Sequence, residues 1–256
     1  MLITSLNFKI NKTLIPIITK IQRDFSDCIV PLFQDTTQPG CSIDSVKLVG
    51  SSFYFTSQNK YFLSTATHVL YSDDDCTIYD PGRLFYPNTQ TMGQLPIDNI
   101  YSDNDKDFTV IRLRHPLLYF TPFKITPSMI INPTVDNFCC IGYPQRCSKQ
   151  YEDNVISKEI FYLCTKENEN AWLYDKKSFE TPLSWIQSKC RLPQYPNWYI
   201  TFPKPEGISG GIVLGFSERK ISFYGILNRY NDKQKRTFFS TQVDFGHLVR
   251  KPELYI

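Results

Sequence analysis

Apolar and polar residues alternate in short bursts along most of this chain. "SSFYFTS" (51–57), "KYFLSTA" (60–66), "DFTVIRLR" (107–114), "NFCCIGY" (137–143), "EIFYLCT" (159–165), "NWYITF" (197–202), "GIVLGF" (211–216), "KISFYGIL" (220–227) and "RTFFSTQV" (236–243) are rich in Phe, Tyr, Ile, Val and Thr. Clusters of Asp, Asn, Pro, Ser and Gly separate them. Such residues suit a pleated, half-buried surface, so each burst predicts a strand, and the series predicts an all-β sandwich or barrel. Two stretches carry helical spacing instead. One is 13–24, with Leu14, Ile17, Ile18 and Ile21 on one face; the other is 243–250, "VDFGHLVR". "FKITPSMIINPTVDN" (123–137) has two prolines and little periodicity, which marks a linker between two halves. The stretch 165–198 is long, irregular and carries Trp172, Trp185 and Trp198, the expected signature of an ordered functional loop.

A length of 256 residues allows one large β domain or two lobes, and 41% hydrophobic against 21% charged residues predicts a packed core. A formal charge of +3, with its basic residues scattered, gives no reason to expect nucleic acid or a membrane as partner. No run reaches the roughly 18 apolar residues of a membrane span. Lys9, Lys12 and Lys20 interrupt the mildly apolar start, which lacks a signal-peptide pattern, so a cytoplasmic protein is expected. The eight cysteines include no CxxC pair, which gives a zinc site little support. "CC" at 139–140 lies in an apolar run where cysteine acts as a small hydrophobe, and reduced thiols are expected.

"PEGISGG" (205–211) sets Ser209 among three glycines where a loop enters an apolar strand. Glycines mark tight turns, but they also bare the backbone amides that a serine nucleophile needs beside it. Serine requires a base and the base an orienting acid. Of the three histidines, His115 and His247 suit surface or capping positions. His68, in "STATHVL", follows a buried strand directly, which would hold its imidazole rigidly. Among the carboxylates, Asp107 opens the strand "DFTVIRL"; a carboxylate at the mouth of a buried strand needs a partner, such as an imidazole N–H or loop amides. "DNDKD" (103–107) imitates a calcium loop, but Phe108 and Arg114 stand where glycine and glutamate are required. "DFG" at 244–246 lacks the other kinase motifs. No metal and no cofactor is implied.

"STATHVL", "DFTVIRL" and "GISGG", in this order, resemble the chymotrypsin-like (trypsin-fold) serine peptidases. "GSSFYF" (50–55) and "YGILN" (224–228) resemble the strands before the histidine strand and after the serine, and "IGYP" (141–144) resembles a segment of the HtrA-like branch. The likeness spans about residues 26–250. It implies two six-stranded antiparallel barrels with the active site between them. An N-terminal extension and helix would occupy 1–25, the first barrel 26–122 with His68 and Asp107, and the second barrel 123–256 with Ser209 and a C-terminal helix. It implies Ser209 as nucleophile, His68 as base and then acid, Asp107 as the residue that fixes the tautomer, and the amides of Gly207 and Ser209 as the oxyanion hole.

The substrate would be a protein or peptide, bound by Glu206, Leu227, Asn228, Arg229 and Tyr230. Pro203 and Lys204 at the pocket floor, with Arg229 and Tyr230 narrowing it, imply a small or medium uncharged residue before the cleaved bond. Ile208 and Val69 replace the aspartate and cysteine of the digestive and clotting enzymes, so activation by a new N-terminus is not expected and the bacterial-like branch is favoured. No binding domain is expected after the peptidase. A regulatory partner protein that orders the oxyanion loop fits the same scheme. The alternative from another class is a catalytically silent trypsin-fold module that holds peptides in the same cleft.

Overall fold

The structure, a computed structural model, describes residues 15–35, 46–71, 83–88, 91–104, 107–125, 137–145, 149–151, 154–156, 160–166, 180–185, 189–192, 195–201, 207–217, 220–231 and 236–241. The first helical pattern becomes helix α1, Ile15–Phe25. Pro16 lies in its first turn, where a missing N–H costs no helical bond. Ile17, Ile21 and Phe25 fall on one face, four residues apart, and all three are buried. Lys20 pairs with Asp24 one turn on. Among the described residues no helix is long and apolar enough to cross a membrane.

Eight strands follow: β1 (Ile29–Asp35), β2 (Val46–Ser57), β3 (Lys60–Thr65), β4 (Leu84–Asn88), β5 (Thr91–Gln94), β6 (Ile97–Asp103), β7 (Phe108–Leu113) and β8 (Phe123–Lys124). They pair in the order β5-β4-β1-β2-β3-β7-β6, and β8 adds in parallel to β2. The turn between β2 and β3 is Gln58-Asn59, both with positive φ, the shape whose twist matches that of a hairpin. Ten more strands come after them: β9 (Asn137–Gly142), β10 (Lys149–Tyr151), β11 (Asn154–Ile156), β12 (Ile160–Lys166), β13 (Glu180–Trp185), β14 (Lys189–Leu192), β15 (Tyr195–Thr201), β16 (Ile212–Phe216), β17 (Ile221–Asn231) and β18 (Arg236–Thr241). Six of them close an antiparallel barrel in the order β12-β13-β18-β17-β16-β9, while β10–β11 and β14–β15 form separate pairs.

The first lobe therefore differs from the expected six-stranded barrel. It is an eight-stranded sheet whose path ends at β5 and β6 without pairing between them among the described residues. These end strands are successive in the chain and joined by Leu95-Pro96 alone, so the sheet curls until its ends approach. Pro96 has no N–H for a ladder, and its carbonyl is taken instead by the Arg114 amide. Phe123 and Lys124, expected in the linker, belong to this sheet. The stretch 165–198 is likewise less irregular than its sequence suggests, since β13 and β14 lie in it, while β15 takes in most of the expected strand 197–202. Pro182 in β13 pairs with Phe238 of β18, and among the described residues β12 reaches that strand only over Leu183–Trp185, so Pro182 has a described strand on one side alone. The expected helix at 243–250 and residue Trp172 lie outside the described residues.

One hydrophobic cluster runs through both lobes and α1: Ile17, Ile21, Phe25, Phe53 and Phe55 share it with Ile141, Ile212, Leu214 and Phe223. Phe53 of β2 stacks on Phe223 of β17 at 5.2 Å, and Phe25 of α1 on Phe123 at 4.5 Å. Each fully buried ring contributes on the order of 2–3 kcal/mol, so the lobes are joined by core and not merely by contact of two surfaces. A second cluster fills the first sheet and takes in Ala66, Val69 and Leu70, the residues on either side of His68.

Cys28, Cys139 and Cys140 are buried thiols that form no disulfide. Thiol titration after denaturation without reductant is expected to find at least these three reactive. A protein in which they are blocked until reduced would contradict this packing.

Candidate active site

Three loops converge where the lobes meet. The first follows β3. Ala66 stays extended and fully buried, then Thr67–Leu70 form a single 3-10 turn with Val69 N–H on Ala66 O at 3.1 Å. Val69 and Leu70 are drawn into the core, which turns the His68 side chain outward, 49% exposed. Thr67 Oγ1 lies 3.0 Å from Thr109 Oγ1, which in turn lies 2.7 Å from Ser102 Oγ, so hydroxyls tie this turn to β6 and β7.

The second loop enters β7 at Asp107. Its φ of 49° is left-handed, a conformation that Asp and Asn accept more readily than other non-glycine residues. Its N–H reaches Asn104 O at 3.3 Å, and Asn104 Oδ1 accepts the Tyr71 hydroxyl at 2.9 Å. The carboxylate turns to His68 and meets it twice. Oδ1 accepts the His68 backbone N–H at 3.0 Å, and Oδ2 lies 2.8 Å from Nδ1, with Oδ1 at 3.1 Å. An ionised carboxylate can only accept, so Nδ1 carries a proton, and in the neutral form of the ring the lone pair is then on Nε2.

The third loop is Gly207–Gly211, leading into β16. Gly207 and Gly210 have φ of +88° and +85°. A methyl on Gly210 would stand 1.9 Å from Ser51 O, so side-chain bulk and backbone shape both demand glycine there. Ile208 is fully buried, Gly211 N–H returns to its carbonyl at 2.8 Å, and Gly210 N–H donates to Leu227 O at 2.7 Å. Those two amides are committed. Among the described residues, the amides of Gly207 and Ser209 make no hydrogen bond. The Ser209 carbonyl accepts the Ser51 N–H of β2 at 2.7 Å, which pins the loop to the first lobe.

The turn that carries His68 and the loop that carries Ser209 both approach Gly50. A methyl there would lie 2.6 Å from Val69 Cγ1, the residue after His68, and 3.0 Å from Ser209 O. Among the described residues no hydrogen bond joins the imidazole to the Ser209 hydroxyl.

Of the expected substrate residues, Leu227 and Asn228 are buried. Leu227 has its N–H on Gly211 O and its C=O on Gly210 N–H, so its backbone already holds the serine loop. β16 pairs with β17 only as far as Ile226, so beyond Leu227 β17 has β18 on one side and no strand on the other among the described residues. Arg229 and Tyr230 lie on that open edge, with side chains outside the described set, as is the whole of Glu206. The sequence singled out neither Ser51 nor Tyr143, though both flank this junction and Tyr143 N–H donates to Ser51 Oγ at 2.8 Å. Among the described residues no group of three or more His, Cys, Asp or Glu side chains could hold a metal ion.

No family model and no curated protein matches the chain. Among solved structures, a mutant of the tobacco etch virus protease superposes with a TM-score of 0.49 at 13% identity, covering 91% of this chain and 82% of that one. The catalytically active tobacco etch virus protease complexed with product gives 0.49 at 13% identity, over 90% and 80%. The tobacco vein mottling virus protease gives 0.46 at 11% identity, over 86% and 78%. These scores carry no weight for family or activity, and the architecture rests on the chain's own strand pairings.

Proposed function

We propose that the chain is a chymotrypsin-like serine endopeptidase in which Ser209, His68 and Asp107 form the triad. The observation that carries this reading is the paired contact of Asp107 with both the Nδ1 and the backbone N–H of His68, which sets the imidazole in the tautomer a general base needs. In the reaction, Ser209 Oγ attacks the scissile carbonyl and its proton passes to His68 Nε2. The imidazolium so formed is balanced by Asp107. The oxyanion meets the uncommitted amides of Gly207 and Ser209. Collapse breaks the C–N bond as Nε2 returns the proton to the leaving amine. Water then hydrolyses the acyl-enzyme with His68 as base again.

The substrate is a protein or peptide in extended form. It would add as a strand along the open edge of β17 at Asn228–Asn231, where main-chain bonds supply affinity. Ile208, buried where the digestive enzymes carry aspartate, offers no charge to a new N-terminus. The enzyme is therefore active without such processing.

A biotinylated fluorophosphonate tests the reading. The purified wild-type protein is expected to be labelled at Ser209, and labelling to vanish in Ser209→Ala. A wild-type protein that binds peptides but resists the probe would be the silent module instead.

A further inference from the structure

We propose that Ser51 is a positioning residue that locks the serine loop of the second lobe onto the histidine strand of the first; this rests on the peptidase reading above. β3 pairs with β2 only as far as Ser64 opposite Phe53, because the chain turns away at Ala66 to place His68. Ser51, two residues before Phe53, is thus left with a vacant edge on that side. On its other side stands Pro31, which has no N–H to give. The vacancy is filled from the site. Ser51 N–H donates to Ser209 O at 2.7 Å, and Ser51 O accepts the Thr65 hydroxyl at 2.8 Å. The side chain adds a third tie, since Ser51 Oγ accepts the Tyr143 N–H at the end of β9 at 2.8 Å.

Ser51 is fully buried, and so is Thr65. The N–H, C=O and Oγ of Ser51 therefore each make a tie: to the nucleophile's own carbonyl, to the strand that leads into the His68 turn, and to the second lobe. The fit is close. Gly210 and Gly142 each approach so near that an added methyl would stand 1.9 Å from Ser51 O or 3.0 Å from Ser51 Oγ. If the Ser209 carbonyl shifts, the peptide plane that carries the Gly210 amide shifts with it, and the Ser209 hydroxyl moves against Nε2. Ser51 and Thr65 are both fully buried and so closed to a substrate, and the effect should fall on the chemical step and spare binding. A misplacement of about 1 Å at a reacting group can cost on the order of a hundredfold in rate.

The test uses the full chain with Ser51→Ala, Thr65→Val and Thr65→Ser. Rates are read from turnover of a cleavable peptide, from fluorophosphonate labelling, and from amide exchange across 207–211. Thr65→Val keeps the shape and removes the bond to Ser51 O. It is expected to lower kcat and the labelling rate by roughly ten- to a hundredfold, leave KM near that of wild type, and speed exchange at Gly210 and Gly211. Thr65→Ser restores the hydroxyl and is expected to recover most of the rate. Ser51→Ala should lower kcat likewise. Should it fail to fold, the two Thr65 variants decide alone. If Thr65→Val and Thr65→Ser turn over equally fast, or if KM rises while kcat holds, the positioning role is overturned. A wild-type protein inert to both peptide and probe overturns the peptidase reading. Faster exchange at 207–211 in Thr65→Val would still uphold the tie itself, and unchanged exchange would remove it.

Discussion

Ser209→Ala is expected to lower kcat by about 10⁵-fold or more, and His68→Ala by a similar factor. The double variant should be little slower than either single one. A serine without its base and a base without its serine are equally unable to form the acyl-enzyme, so the two losses describe one missing step and do not add. What remains in each variant is binding and the oxyanion amides, which still speed attack by water by about 10³ or more. The fold gives no reason for Ser209→Ala to unfold, because the loop is held by the Ser209 carbonyl on Ser51 N–H and by the Gly210 and Gly211 amides, none of which involves the hydroxyl. The measurement is single-turnover cleavage of a peptide, with the protein purified free of host peptidases and its melting temperature recorded alongside. Full turnover by a clean Ser209→Ala protein would remove Ser209 from the chemistry. Losses that multiply in the double variant would mean that His68 and Ser209 act in separate steps.

Much of this arrangement was legible in the sequence for one reason: strands buried on one face alternate, and alternation survives into the fold. "SSFYF", "KYFLST", "FTVIRL" and "IVLGF" become β2, β3, β7 and β16, with cores of fully buried Phe53, Leu63, Ile111 and Leu214. The helical spacing of Ile17 and Ile21 was legible for the same reason, and buried Phe25 continues their face one turn on, while Leu14 and the side chain of Ile18 lie outside the described set. The signal failed where prolines and glycines break the period. "LFYPN" and "TMGQ" pair as β4 and β5 although Pro87 and Gly93 interrupt them, and these strands help make the first lobe an eight-stranded curled sheet in place of a six-stranded barrel. β13 and β14 were hidden among the polar residues and prolines of 165–198, where pairing with neighbours overrides weak local preference.

The candidate site was legible as residue types and hidden as geometry. His68 after a buried strand and Asp107 before one could be paired on chemical grounds, and the structure brings them into contact through two separate groups of the histidine. The left-handed turn at Asp107 left no mark, since aspartate is as ordinary at a strand mouth as in a loop. Ser51 left none either. A serine inside an apolar strand reads as a tolerated polar residue, and its role exists only because β3 departs from the ladder at that height and a loop from the other lobe arrives to fill the gap.

Asp107→Asn is expected to reduce kcat by roughly 10³- to 10⁴-fold while leaving the melting temperature close to that of wild type. Stability is spared for two reasons. Asparagine accepts a φ of 49° as readily as aspartate, and its carbonyl oxygen can keep the His68 backbone N–H that Oδ1 now accepts. That bond fixes the orientation of the amide: turned the other way, two N–H donors would face each other. With its oxygen committed there, the amide NH₂ must occupy the Oδ2 position, 2.8 Å from Nδ1 in the native site. A donor at that place forces Nδ1 to accept, and the ring proton moves to Nε2. Nε2 is the nitrogen that must take the Ser209 proton, so the base is lost although every atom of the imidazole stays in place. Asp107→Ala separates the two effects. It leaves the His68 N–H without its acceptor, so it should lower both kcat and the melting temperature. Nitrogen NMR of the His68 ring reads the tautomer directly, with the proton expected on Nδ1 in the wild type and on Nε2 in Asp107→Asn. If the asparagine variant shows the Nε2 tautomer and still turns over at the wild-type rate, His68 is not the base. If the tautomer does not change, the contact between Asp107 and Nδ1 does not set it.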